Sequence, residues 1–115
     1  MYLHLCTFKT PIIIKKNKLT SLPTLPQNLE DLCCSNNELT LLPTLPQNLE
    51  ILECYNNQLT FLPTLPQNLE ELDCFNNKLT YLPTLPQNLT ELNCFTPFYI
   101  SNAHFIRINY NKFYN

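Results

Sequence analysis

The sequence predicts a solenoid of short β-strands that stack on one another at a period of 20 residues. The first observation is an eight-residue segment, LPTLPQNL, which occurs unchanged at residues 22–29, 42–49, 62–69 and 82–89. The second is the half-unit that follows, where a period of two around one leucine and one cysteine indicates a short strand. A unit of this length cannot bury its apolar face alone, so the units stack into one continuous core.

Each unit divides into a strand and an extended return segment. In the unit LPTLPQNLEELDCFNNKLTY, the strand points Leu72 and Cys74 into the core and leaves Glu71, Asp73 and Phe75 outward. The two prolines of each LPTLP segment lack N–H groups and bias the preceding residue toward extended geometry, which excludes an internal helix. A polyproline-like conformation with leucines facing the core is predicted there.

Asparagine is predicted to have two structural roles at each strand end. The chain contains no glycine, so one asparagine of each Asn-Asn doublet is the residue best able to adopt a positive φ. The next asparagine turns into the core, where its amide can pair with backbone groups of its own and the adjacent unit. This structural ladder consists of Asn17, Asn37, Asn57 and Asn77.

The repeats are predicted to lie between two caps. Residues 1–21 form an N-terminal cap with a degenerate half-repeat, and residues 98–115 form a C-terminal cap. The units between them are 22–41, 42–61, 62–81 and a partial unit, 82–97.

Each cap is predicted to contribute one divergent strand. Alignment of the first 21 residues with the next unit places Ile12 at an inward strand position, so the first strand is Pro11–Lys15. Phe105, Ile108 and Tyr110 repeat the strand spacing with larger side chains, which predicts a last strand that covers the sheet edge.

The pattern LPxLPxxLxxLxCxxNxLxx resembles the 20-residue leucine-rich repeats of bacterial effectors delivered into host cells, and similar repeats occur in giant DNA viruses. The resemblance covers about residues 11–97. It implies a right-handed curved leucine-rich-repeat solenoid, α/β by convention, with a parallel sheet on the concave side and polyproline-like segments on the convex side. It also implies that partners bind mainly the concave surface. Some of those effectors carry a ubiquitin ligase domain after the repeats, and 18 residues after Pro97 are too few for that activity.

Charge and hydropathy exclude several classes of function. Residues 22–97 hold all nine acidic side chains and one basic residue, Lys78, whereas nucleic-acid binding needs clustered Lys and Arg. No apolar run approaches the ~20 residues that span a bilayer, and the N-terminus lacks the pattern of a signal peptide. We therefore expect a monomer in the cytoplasm, or in a host cytoplasm, that binds neither nucleic acid nor membranes.

No catalytic, cofactor-binding or metal-binding motif occurs, so we predict neither an enzyme nor a cofactor. Four cysteines are predicted to form an inward column of small buried hydrophobes: Cys34, Cys54, Cys74 and Cys94. Disulfides between neighbours and zinc binding are weaker alternatives. Cys33 is predicted to point outward and Cys6 is not placed, and either could be a reactive thiol in an enzymatic or redox alternative. His4 and His104 lie in different caps, too far apart for one site.

Function is predicted to lie in the positions that vary between units. The predicted partner-binding residues on the concave face are Asp31, Ser35, Glu53, Tyr55, Glu71, Asp73, Phe75, Glu91 and Phe95. Their carboxylates are either a solvated face that keeps the solenoid soluble or a surface that steers a basic partner. Calcium binding by Glu71, Asp73 and Glu91 ranks third, because calcium needs six or more oxygens around one point.

Two varying columns are unusually apolar, one at the strand end and one just before each Leu-Pro step. Their members are Ser35, Tyr55, Phe75 and Phe95, and Ser21, Leu41, Phe61 and Tyr81. Both are interpreted either as interface hot spots left unburied by the fold or as mutually stacked side chains. The predicted function is recognition of another protein with a basic surface. The alternatives are a structural or decoy repeat fragment, and the substrate-recruiting part of a larger effector.

Overall fold

The computed structural model describes residues 11–15, 17–94 and 107–109. Among these residues, six three-residue strands form one sheet in chain order, and every neighbouring pair is parallel. The strands are β1 Pro11–Ile13, β2 Asp31–Cys33, β3 Ile51–Glu53, β4 Glu71–Asp73, β5 Glu91–Asn93 and β6 Arg107–Asn109. The described residues contain no helix. The predicted solenoid of stacked strands is confirmed.

Both divergent strands occur where the sequence predicts them. In β1, Ile12 lies opposite Leu32, although the strand ends at Ile13 rather than Lys15. In β6, Ile108 lies opposite Leu92, the register that the spacing predicts. Phe105, Tyr110 and most of both predicted caps lie outside the described residues.

The core is built from the inward positions of successive units. Leucine at the strand centre and cysteine two residues later pack with the leucines of the return segments, and these side chains form one buried cluster. Leu52, Cys54 and Leu59 are fully buried. Each buried leucine contributes about 1.5–3 kcal/mol relative to an exposed one, so the identical residues of each unit specify the stack.

The return segment ends in a tight turn at Pro-Gln-Asn-Leu. The Leu49 N–H donates to the Pro46 carbonyl at 3.2 Å, and the same bond recurs in the other units at 3.1–3.2 Å. Asn68 Nδ2 also donates to the Gln47 carbonyl of the preceding unit at 2.9 Å. Because proline cannot donate a backbone hydrogen bond, it takes part in the turn through its carbonyl.

Asparagine supplies the left-handed residue after β2, β3 and β4, as predicted. Asn36, Asn56 and Asn76 have φ values of 59°, 57° and 54°, a region costly for most side chains. Asn56 Nδ2 donates to Asn36 Oδ1 at 2.8 Å, and Asn76 Nδ2 donates to Asn56 Oδ1 at 2.9 Å. Lys18, which aligns with Glu38 rather than with Asn36, also has a positive φ of 54°.

The inward asparagine satisfies backbone groups of two units. Asn57 Nδ2 donates to the carbonyls of Cys34 and Cys54 at 3.1 and 3.0 Å, while Asn57 Oδ1 accepts the Leu39 N–H at 3.0 Å. Asn37 and Asn77 make equivalent bonds. The Asn17 side chain is exposed, and Asn17 contributes to the ladder only by donating its backbone N–H to Asn37 Oδ1. The series of inward asparagines therefore begins at Asn37 and not at Asn17.

We expect Asn57→Ala to lower the free energy of unfolding by about 2–4 kcal/mol, because it leaves several buried backbone groups without partners. Urea denaturation followed by circular dichroism measures the change. Asn68→Ala is the matched control, since it removes one exposed hydrogen bond, and about 0.5 kcal/mol is expected there. Equal losses in the two variants would contradict the structural role of the inward amide.

Candidate protein-binding surface

The sheet face opposite the leucine core is called the outer sheet face. It is formed by the first and third residues of each strand, together with the second residue after the strand ends. The strands alternate in and out with period two. Accordingly, the outer positions are absent from the core cluster even where they are buried. This face carries every predicted partner-binding residue that the structure describes; Phe95 lies outside the described residues.

The acidic residues of the outer sheet face differ in exposure. Glu53, Glu71 and Glu91 are half-buried, whereas Asp31 and Asp73 are buried. Glu71 lies directly opposite Glu91 in the sheet. Like charges in that position repel each other, and Arg107 of β6 lies on the other side of Glu91 in the register.

Asp73 has a local structural role beside these carboxylates. Its Oδ1 accepts Asn93 Nδ2 at 3.1 Å and the Phe75 N–H at 3.3 Å. Charge-assisted bonds of this kind orient a buried carboxylate. Asp73 therefore helps to fix the end of β4 as well as contributing negative charge.

The described aromatic residues at the strand ends are buried, so of the two interpretations of this column, the one in which the fold leaves it uncovered is wrong. Tyr55 and Phe75 are each 7% exposed, and Ser35 is fully buried. Lys15 accounts for part of this burial: its Nζ donates to the Tyr55 hydroxyl at 2.9 Å and lies 5.1 Å from the ring centroid. Lys15 spans two units to reach Tyr55, so it passes the intervening position, Ser35.

This lysine is not among the site residues predicted from the sequence, although its register contains the signal. Since Ile12 aligns with Leu32, Lys15 aligns with Ser35 and belongs to the same column as Tyr55. A lysine stem is long enough to cross a neighbouring unit while its ammonium reaches a polar group or an aromatic ring.

The second apolar column is exposed. Leu41, Phe61 and Tyr81, which we call the flank stripe, are 49%, 45% and 57% exposed. They precede each Leu-Pro step, outside the sheet. The flank stripe therefore has the exposure that the sequence predicts for an interface, whereas the strand-end column does not.

Known proteins share this repeat geometry. The family described as "Leucine Rich repeats (2 copies)" matches residues 47–87. Among solved structures, YopM from Yersinia enterocolitica WA-314 is similar, with a TM-score of 0.73 and 46% sequence identity over 74% of this chain and 19% of that chain. The chain is a leucine-rich-repeat protein with repeats of the bacterial-effector type. A comparison with curated proteins found no match.

The cysteine column of the leucine-rich-repeat solenoid is buried and reduced. Cys34, Cys54, Cys74 and Cys94 are free thiols in the core. Burial raises the pKa of Cys34 from 9.0 to about 12 and that of Cys94 to about 11. Burial, followed by the neighbouring thiols, also raises the pKa values of Cys54 and Cys74 well above 9.0. A thiol that stays protonated is a poor nucleophile.

Cys33 is fully buried and disulfide-bonded, which excludes it as a reactive thiol in this state. Cys6 lies outside the described residues. Asp31 Oδ1 lies 3.6 Å from the Cys33 sulfur.

No group of three or more His, Cys, Asp or Glu residues in the described part of the repeat protein could hold a metal ion. That part also contains no helix able to cross a membrane.

We expect Tyr55→Phe to lower the free energy of unfolding by about 1–3 kcal/mol, because Lys15 loses a buried hydrogen-bond acceptor. Tyr81→Phe is the matched control, as Tyr81 is 57% exposed, and no measurable change is expected. Thermal and urea denaturation give both values. No difference between the variants would contradict the structural importance of the Lys15–Tyr55 bond.

The buried thiols also predict a loss of stability at alkaline pH. Above pH 9.0 an unfolded thiol loses its proton, whereas folded Cys34 keeps its proton up to about pH 12. The unfolded state then binds fewer protons, so stability decreases as pH rises. For Cys34→Val, the loss between about pH 9 and about pH 10.5 is expected to be about 2 kcal/mol smaller than in the wild type. Urea denaturation at both pH values, with Ser21→Val as the exposed control, checks this result.

Proposed function

We propose that the chain is a non-catalytic module that recognises another protein with a basic surface through its outer sheet face. The observation that carries the proposal is the opposed pair Glu71 and Glu91, both half-buried, on adjacent strands. With half-buried Glu53 on β3, these side chains extend negative charge over three strands. The full set that we propose to take part is Asp31, Ser35, Glu53, Tyr55, Glu71, Asp73, Phe75, Glu91 and Phe95.

Electrostatics give this face two ways to select a partner. Carboxylates that remain accessible attract a basic surface over distances of about 10 Å at 0.1 M salt, which raises the rate of encounter. A basic side chain of the partner beside Glu71 and Glu91 would add a short-range attraction at this site. The gain is specific because a neutral or acidic partner cannot provide it.

The buried residues of the proposed set would act through the accessible ones. Tyr55 is held by Lys15, Phe75 is buried in the same column, and Asp73 is fixed by Asn93. A face whose side chains are already ordered loses less conformational entropy on binding than a flexible one. These residues therefore support a preorganised acidic surface.

The similarity to YopM supports a binding module over an enzyme, since leucine-rich repeats typically serve in protein interaction. We propose that the chain acts in the cytoplasm, including that of a host cell. The alternative function is a structural repeat without a specific partner, which the burial of Asp31, Ser35, Tyr55 and Phe75 favours. Because the match covers 19% of the YopM chain, recruitment of substrates within a larger effector is a third proposal.

We expect Glu71→Lys/Glu91→Lys to abolish retention of basic proteins from a cell lysate by the immobilised chain. Glu30→Lys/Glu70→Lys is the matched control, because it makes the same change in net charge away from the outer sheet face. Retained proteins are quantified by mass spectrometry, and raised salt should weaken their retention. Identical sets of retained proteins for the two double variants would overturn recognition through Glu71 and Glu91.

A further inference from the structure

The flank stripe is the main apolar surface that the described repeats leave exposed. Its three members are the most exposed of the large hydrophobic side chains in this part of the chain, ahead of Ile13 at 36%. Roughly half of each side chain is accessible, which gives a patch on the order of 300 Å². A continuous apolar patch of this size on a small protein often marks an interaction site.

The stripe is straight because hydrogen bonds align its units. The Gln58 N–H donates to the Leu39 carbonyl at 2.9 Å, and the Lys78 N–H donates to the Leu59 carbonyl at 2.8 Å. Leu39 and Leu59 are buried in the core, whereas Leu41 and Phe61, two residues later in each unit, are exposed. The units therefore present equivalent side chains at equivalent heights along the stack.

A column of exposed polar residues runs parallel to the stripe. Glu38, Gln58 and Lys78 lie three residues before Leu41, Phe61 and Tyr81, respectively, and all three are exposed. The column thus has a negative side chain in one unit, a neutral one in the middle and a positive one at the other end. The negative Glu38 and the positive Lys78 therefore lie one unit away from the Phe61 unit, on opposite sides of it.

We propose that the flank stripe binds a second copy of this chain, with the two stripes antiparallel about a two-fold axis at Phe61. In this arrangement Phe61 packs on its own copy and Leu41 packs on Tyr81 of the second copy. The same rotation places Glu38 opposite Lys78 of the second copy, twice in each dimer. A two-fold interface requires such self-complementarity, in which each contact occurs in both directions.

The charge pattern favours a second copy over a partner of uniform charge. A uniformly basic surface would meet Lys78 and a uniformly acidic one would meet Glu38, so each would have one repulsive end. An antiparallel copy has an attractive pair at both ends. The column continues to Lys18 beside the polar Ser21, where the apolar stripe ends.

The small area predicts a weak, reversible dimer rather than the monomer expected from the sequence. Stable dimers bury about 800 Å² on each partner, and smaller interfaces are transient. Association is therefore expected to depend on concentration. The outer sheet face is outside the stripe and stays accessible in the dimer.

Sedimentation equilibrium from about 10 µM to about 1 mM tests the proposal, since weak dimers dissociate within this range. Wild-type protein should shift from monomer to dimer. Phe61→Ser should raise the dissociation constant at least about tenfold, because the side chain is lost from both copies at the axis. Circular dichroism should show unchanged folding, as Phe61 is about half exposed.

Charge exchange provides a second measurement that does not depend on the apolar contacts. Glu38→Lys should weaken the dimer several-fold, and Glu38→Lys/Lys78→Glu should restore it, because the pairs form again with reversed sign. Glu70→Lys makes the same charge change outside the stripe and should leave the dimer intact. Glu71→Lys/Glu91→Lys should also dimerise, which separates this proposal from partner binding by the outer sheet face.

Three results would overturn the proposal. The first is that the wild-type protein remains monomeric at the highest concentration. That result overturns the proposal even if the stripe binds a different protein. The second is a dimer whose dissociation constant is unchanged by Phe61→Ser. The third is a failure of the double charge exchange to restore the association that Glu38→Lys weakens.

Discussion

The solenoid depends on a buried asparagine amide that joins each unit to its neighbour. Each strand has only three residues, so the backbone soon leaves the regular ladder and its polar groups need other partners. The Asn57 amide supplies them, with two donors shared among carbonyls of its own and the preceding unit and one acceptor for the Leu39 N–H. Leucine packing then stabilises a stack whose spacing these bonds set. The left-handed Asn56 beside it allows the chain to turn without glycine.

The repeat made the fold predictable, because identical residues in successive units require identical environments. The period located both divergent strands through Ile12 and Ile108, and it assigned the side of the sheet on which each residue lies. The period could not determine what covers the outer side of the sheet. Alternation along a strand tells which residues face the core and which face outward, but it does not tell whether an outward residue is buried or exposed. For this reason the sequence leaves open whether Tyr55 and Phe75 are exposed or covered. The disulfide of Cys33 had no signal in the repeat, because cysteine occupies that position in one unit only.

The two proposed surfaces differ in the physical interaction on which they rely. The outer sheet face presents half-buried carboxylates such as Glu71 and Glu91, whose attraction to a basic partner acts at long range and weakens with salt. The flank stripe presents Phe61 and its neighbours, whose contacts are short-range and need matching shape. Since neither surface uses the invariant leucines and prolines of the repeat, changes in the variable positions can alter recognition without altering the stack.

The Lys15–Tyr55 bond makes the N-terminal end of this solenoid less independent than the repeat architecture alone would allow. In most repeat stacks a unit contacts only its neighbours, so an end unit can fray while the others remain folded. Lys15 contacts a residue 40 positions away, two units along the stack. Opening the first unit would therefore break a bond in the third as well as the contacts with the second. The N-terminal units should consequently unfold as one cooperative block instead of peeling off singly.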